Sequence, residues 1–171
     1  MARLFFALWP PDAARIALAR EASQLALRCG GRAVAENRIH LTLAFLGDVP
    51  DSRVANAVSA AEAVSGAVFS AVFDHVGSFS RSDAAWAGLS RPPEALLGLA
   101  ANLANRLRES GFVLEKRPFA AHVTLVRRIL RKVERAPLEP IAWETRAFAL
   151  VESDLRAGRY ETRGMWELGA R

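Results

Sequence analysis

Residues 37–44, Asn-Arg-Ile-His-Leu-Thr-Leu-Ala, and residues 119–126, Phe-Ala-Ala-His-Val-Thr-Leu-Val, are two versions of one short pattern. Each contains a His-x-Thr-Leu motif, and the two histidines, His40 and His122, are 82 residues apart in a chain of 171. Apolar residues flank both motifs, as is typical of strands. A repeat at nearly half the chain length predicts a duplicated half-domain, with two similar lobes that face each other.

The remaining sequence predicts a mixture of strands and helices. Apolar runs predict strands, and longer segments bounded by proline or glycine predict helices. Several strands adjoin without a helix between them, which favours an α+β fold with largely antiparallel sheets. We expect strands at 3–8, 39–46, 68–79, 84–89, 112–115, 121–126, 141–152 and 160–168, helices at 11–28, 51–64 and 93–109, and a loose connection at 129–140.

Composition narrows the class of protein. Hydrophobic residues make up 51% and charged residues 24%, which is ordinary for a globular domain. The single cysteine, Cys29, excludes an intramolecular disulfide and fits a reducing compartment. The apolar run from Leu4 to Trp9 is too short for a signal peptide, and no later run has membrane-spanning length. We therefore expect a soluble cytoplasmic protein without a membrane partner.

Positive charge is concentrated in the second half of the chain. The net charge is +5, and residues 106–135 contain nine basic residues against three glutamates. Such a local excess favours an anionic partner such as a nucleic acid. A solvated basic face is the alternative interpretation of the same charges.

The two motifs carry the chemistry. Residues i and i+2 of a strand point to the same face, so His40 shares a face with Thr42, and His122 with Thr124. Of two facing imidazoles, a neutral one can take a proton from water and a protonated one can give a proton to a leaving oxygen. The hydroxyls can donate to phosphoryl oxygens where negative charge develops. The scheme requires no metal and no cofactor.

The two motif histidines have two other interpretations. As metal ligands they need a third or fourth ligand, and no carboxylate recurs near both motifs, since Asp48 follows only the first. As core residues, they would be bonded to their threonines by coincidence, which is plausible for one motif but not for a matched pair. The third histidine, His75, lacks such a threonine, and we expect it to be structural or on the surface.

Four further residues are candidates for substrate binding. Arg127 follows the second motif, and its guanidinium suits a phosphate or ribose. Arg38 lies two residues before His40 and so on the same predicted face. Phe45 and Phe119 can stack on a nucleobase. For the arginines the alternative is an ordinary basic surface, and for the aromatics it is core packing.

These segments together resemble the bacterial and archaeal RNA 2′,3′-cyclic phosphodiesterases, also called 2′-5′ RNA ligases, of the two-histidine phosphoesterase superfamily. The resemblance extends over nearly the whole chain and is most specific in the block that ends at Gly47. The segments that carry it are 3–8, 36–47, 85–89, 117–127, 152–155 and 160–168. One departure is Ala121, where the family often has proline before the second histidine.

The resemblance implies one domain over residues 1–171, with two antiparallel sheets facing across a central cleft and helices on the outside. It implies opening of a terminal 2′,3′-cyclic phosphate to a 2′-phosphomonoester, with ATP-independent 2′-5′ joining of RNA ends as the reverse. His40 is then the proton donor and His122 the proton acceptor. The implied partners are RNA ends or nucleotides with such a phosphate, bound by a monomer. An RNA-binding module without turnover and a sibling activity on other cyclic diesters remain alternatives.

Overall fold

A computed structural model describes residues 1–169 of the chain. The helices are α1 (Asp12–Cys29), α2 (Asp51–Glu62) and α3 (Glu94–Glu109), and a 3₁₀ turn covers Glu36–Arg38. The strands are β1 (Ala2–Leu8), β2 (Arg32–Ala33), β3 (Leu41–Val49), β4 (Phe69–Ser78), β5 (Ala84–Gly88), β6 (His122–Arg127), β7 (Ala136–Thr145), β8 (Ala147–Asp154) and β9 (Arg159–Glu167).

The three helices begin in the same way. A proline occupies the N-cap of each, followed by an acidic residue in the first turn. Proline has the backbone angle that a helix start needs, and a negative charge there interacts favourably with the helix dipole. α3 buries one apolar stripe, which includes Leu96, Leu103 and Leu107, against the sheet. None of the helices within residues 1–169 is long and apolar enough to cross a membrane.

The strands form one antiparallel arrangement with a mirrored order, β7-β4-β5-β6-β3-β1-β8-β9, and β2 pairs with β6. The two four-stranded halves meet at a single pair between β3 and β6, Leu41 with Val123. The units β1-α1-β3 and β5-α3-β6 repeat at the spacing of the two motifs. The α+β class is thus confirmed, and in place of the two expected sheets the strands form one sheet whose two halves share this junction.

Two predictions about strands are wrong. Residues 112–115 form no strand. Phe112 belongs to the turn that caps the C-terminus of α3, because its N–H donates to the Leu107 carbonyl after Gly111, which has a φ of 79°. The predicted strand 141–152 is two strands that meet at Arg146, where the chain leaves one half of the sheet for the other. β7 begins inside the predicted loop 129–140, and it tolerates prolines because it is an edge strand.

Candidate active site

The two motifs meet at the junction of the halves. His40 directly precedes β3, and His122 is the first residue of β6. Leu41 and Val123, which follow them, are partners across the junction, and both are fully buried on the core side. Antiparallel register therefore sets His40 beside Thr124 and Thr42 beside His122 on the opposite face. The structure brings the four predicted residues together.

A β-bulge lies at the leucine of each motif. In β3, Thr42 and Ala44 pair with consecutive residues of β1, so Leu43 is the extra residue. In β6, Thr124 and Val126 pair with consecutive residues of β5, so Leu125 is the extra residue. A bulge reverses the alternation of side chains beyond it. The residue five positions after each histidine thus returns to the face of the histidines.

Those two residues are Phe45 and Arg127. Phe45 pairs with Phe5, whose ring lies 4.9 Å from that of His40, and it is 49% exposed beneath the guanidinium of Arg3. Arg127 is exposed, and its positive charge acts on both motif histidines. The equivalent positions of the two halves therefore carry an aromatic ring on one side and a cation on the other.

Backbone carbonyls orient both imidazoles in the same way. Nδ1 of His40 donates to the Arg38 carbonyl at 2.7 Å, and Nδ1 of His122 donates to the Ala120 carbonyl at 2.7 Å. Because a carbonyl only accepts, the proton of each neutral ring is on Nδ1, and Nε2 is the basic atom. His40 Nε2 lies 3.1 Å from the Thr42 hydroxyl. The hydrogen bond between His122 Nδ1 and the Ala120 carbonyl forms even though residue 121 is alanine here and often proline in the family.

Both histidines are neutral at pH 7 in the unliganded protein. Burial is the main cause that lowers the pKa of His40 to about 4. The hydrogen bond to the Arg38 carbonyl raises this pKa, whereas the positive charges of Arg127 and Arg38 lower it further. Burial also lowers the pKa of His122, and the charge of Arg127 acts in the same direction. The site is therefore short of negative charge, and a bound anion would favour protonation of either ring.

The comparisons with known proteins agree with this geometry. The family described as LigT like Phosphoesterase matches residues 8–86. The RNA 2′,3′-cyclic phosphodiesterase of Escherichia coli (strain K12) is 34% identical over 125 residues, which are 73% of this chain and 71% of that protein. The chain belongs to the LigT-like phosphoesterase family. The resemblance inferred from the motifs is thus confirmed, as is the prediction of a phosphoesterase.

Other members of the LigT-like family extend the agreement. An RNA 2′,3′-cyclic phosphodiesterase of Archaeoglobus fulgidus is 32% identical over 133 residues, 76% of this chain and 74% of that protein. The crystal structure of E. coli LigT complexed with 3′-AMP is 31% identical, covers 98% of both chains and has a TM-score of 0.90. The fold class that the sequence predicts is thus confirmed over nearly the whole chain.

Aromatic residues that the sequence did not single out enclose the histidines of this LigT-like site. The rings of Trp9 and Tyr160 lie 5.6 Å from that of His40, on the side of β1 and β9. The ring of Phe79 lies 5.0 Å from that of His122, edge to face. Alternation along β1 predicts that every second side chain points to the same face as His40. Nothing in the sequence indicates which residues from distant strands, such as Tyr160 of β9, also lie on that face.

Arg38 and Tyr160 form a pair at the edge of the site. The Arg38 guanidinium lies 4.6 Å from the centre of the Tyr160 ring, and its Nη2 donates to the phenol oxygen at 3.3 Å. Trp9, in turn, borders a cavity of about 460 Å³ with Arg15 and Glu36. A cavity of this size can hold a small organic ligand. Arg38 is close to His40, but it ends the 3₁₀ turn Glu36–Arg38 and does not lie on a strand, so the alternation that placed it on the face of His40 does not apply.

Phe119 and His75 complete the predicted set. Phe119 is partly buried and packs against the main hydrophobic core, and its stacking on a nucleobase stays a prediction. His75 is 7% exposed, and its Nδ1 lies 2.7 Å from Asp74 Oδ1, which fits the expected structural role. Within residues 1–169 no group of three or more His, Cys, Asp or Glu side chains is placed to hold a metal ion.

Proposed function

We propose that the chain hydrolyses the terminal 2′,3′-cyclic phosphate of RNA to a 2′-phosphomonoester, with His40 and His122 as the acid–base pair. The observation that carries the proposal is the pair of imidazoles, each oriented by a carbonyl so that Nε2 is its reactive atom. The names of the relatives supply the substrate class. Proton transfer by such a pair needs no metal ion.

The proposed reaction moves two protons. Nε2 of His122 takes a proton from water as the water oxygen attacks phosphorus. The P–O3′ bond breaks, and Nε2–H of protonated His40 gives its proton to O3′, which leaves a 2′-phosphate and a 3′-hydroxyl. The assignment of donor and acceptor follows the family resemblance, because the two halves are nearly symmetric. The same steps, with the 5′-hydroxyl of a second RNA in place of water, give ATP-independent 2′-5′ joining of RNA ends: the P–O5′ bond forms, the P–O3′ bond breaks, and O3′ takes the proton.

Other residues of the site stabilise charge in this proposal. The hydroxyls of Thr42 and Thr124, on the histidine face, donate to the phosphoryl oxygens, and Arg127 neutralises the phosphate. The negative charge of the substrate raises the pKa of His40 from its low value and so allows it to carry a proton. Phe45 and Arg38 border the site as contacts for the nucleobase and ribose.

Turnover of adenosine 2′,3′-cyclic phosphate tests the proposal. We expect His40→Gln and His122→Gln each to lower kcat by about 10²- to 10⁴-fold, with the circular dichroism spectrum unchanged. The product should be the 2′-phosphate, and EDTA should have no effect. Full activity of either variant would contradict the proposal. Tight binding without any product would indicate a binding module, and turnover restricted to other cyclic diesters would indicate a sibling activity.

A further inference from the structure

Arg32 lies directly across from Arg127 on the neighbouring strand. β2 pairs with β6 in antiparallel register, and Arg32 and Arg127 are partners in that pairing. Side chains of paired residues project from the same face, with their Cα atoms about 5 Å apart. Arg127 lies on the face of the two histidines, so Arg32 extends the positive edge of the site by one strand.

The backbone holds this arrangement tightly. A Cβ at Gly31, where φ is 92°, would lie 2.5 Å from the carbonyl oxygen of Arg127. Two residues beyond Arg32, the N–H of Val34 donates to the Leu125 carbonyl at 2.8 Å. Arg128 has a φ of 55°, which non-glycine residues rarely adopt. β2 is therefore packed closely against β6 on both sides of Arg32.

Neither charge is neutralised by the protein. Both residues are exposed, and neither is paired with a carboxylate among residues 1–169. Like charges directly opposite each other destabilise a sheet. Two arginines at paired positions favour an anion with two separate charges, whereas a single phosphate beside the histidines would be neutralised by Arg127, the nearer of the two to them in the sheet.

We propose that Arg32 binds the phosphodiester that joins the last two nucleotides of the RNA, next to the terminal cyclic phosphate bound by Arg127. This inference rests on the proposed function, because it takes the position of the reacting phosphate from it. Its consequence is a preference for an oligonucleotide end over a mononucleotide, since a nucleoside 2′,3′-cyclic phosphate has no second phosphate for Arg32 to bind.

The test compares three substrates: adenosine 2′,3′-cyclic phosphate, the dinucleotide ApA with a terminal 2′,3′-cyclic phosphate, and the same dinucleotide with an uncharged methylphosphonate linkage. The readout is the ratio of kcat/KM for ApA to kcat/KM for the mononucleotide. We expect Arg32→Ala to lower this ratio about tenfold. The methylphosphonate should lower kcat/KM for wild type by a similar factor but change it little for Arg32→Ala.

Arg20→Ala is the matched control, because Arg20 is an exposed arginine on α1 and its removal changes the net charge equally. It should leave the ratio unchanged. For ApA, Arg32→Ala should also reduce the slope of log kcat/KM against log salt concentration by about 0.7. An unchanged ratio, or an equal loss on ApA and the mononucleotide, would overturn the inference. Absence of wild-type turnover on every substrate would overturn the proposed function, and this inference with it.

Discussion

Replacement of His40 by glutamine should change how the stability of the protein depends on pH. Burial holds the pKa of His40 at about 4 in the folded chain, against an ordinary value of 6.5. At pH values between these two, the unfolded chain binds a proton that the folded chain does not, so the free energy of unfolding falls as the pH falls. The difference corresponds to about 3 kcal/mol, lost between about pH 6.5 and about pH 4.

Urea unfolding at about pH 7 and about pH 5 measures this effect. Between these two conditions the wild-type protein should lose about 2 kcal/mol more of its free energy of unfolding than His40→Gln. Other titrating groups contribute equally to both proteins and cancel in the comparison. Leu27→Ala, an exposed change that leaves the surroundings of His40 intact, should keep the wild-type dependence. An identical pH dependence for wild type and His40→Gln would refute a buried, neutral His40.

Three further predictions concern the same site. Because the pKa values of both motif histidines lie below 6.5, kcat/KM should fall about tenfold for each pH unit above about pH 7, and a flat profile to about pH 8 would contradict this. Arg127→Met should lower kcat/KM and move that decline to higher pH, because the charge of Arg127 lowers both pKa values, whereas Arg127→Lys should keep the decline in place. Leu125→Ala should reduce the free energy of unfolding by about 2–5 kcal/mol in urea titrations. The control Leu27→Ala, at an exposed position, should reduce it by less than about 0.5 kcal/mol. Equal losses would show that Leu125, at the bulge of β6, is not a core residue.

The sequence predicts the two histidines and two threonines of this site because the His-x-Thr-Leu pattern is local. The spacing of two within each motif is the period of a strand, so His40 shares a face with Thr42 whatever the rest of the fold does. The repeat of the motif at half the chain length predicts that the two halves are equivalent. Neither step depends on contacts between distant residues.

The surroundings of the site are less predictable because they depend on bulges and distant strands. Strict alternation after Thr124 points Arg127 into the core, and only the extra residue at Leu125 returns it to the histidine face. Tyr160 reaches His40 from β9, 120 residues along the chain. Phe119, which lies three residues before the second histidine, is partly buried against the core. No local pattern distinguishes these outcomes.

Under the proposed function, the difference between Phe45 and Arg127 would set the orientation of the substrate. Two nearly equivalent histidines would accept a cyclic phosphate in either of two orientations, and each would break a different P–O bond. A flat ring on one side and a cation on the other remove that ambiguity, since a nucleobase and a phosphate chain prefer opposite ends. In that proposal, the regiochemistry of the product, 2′- or 3′-phosphate, would depend on one pair of residues outside the proton-transferring set. Exchanging that pair would turn the substrate around.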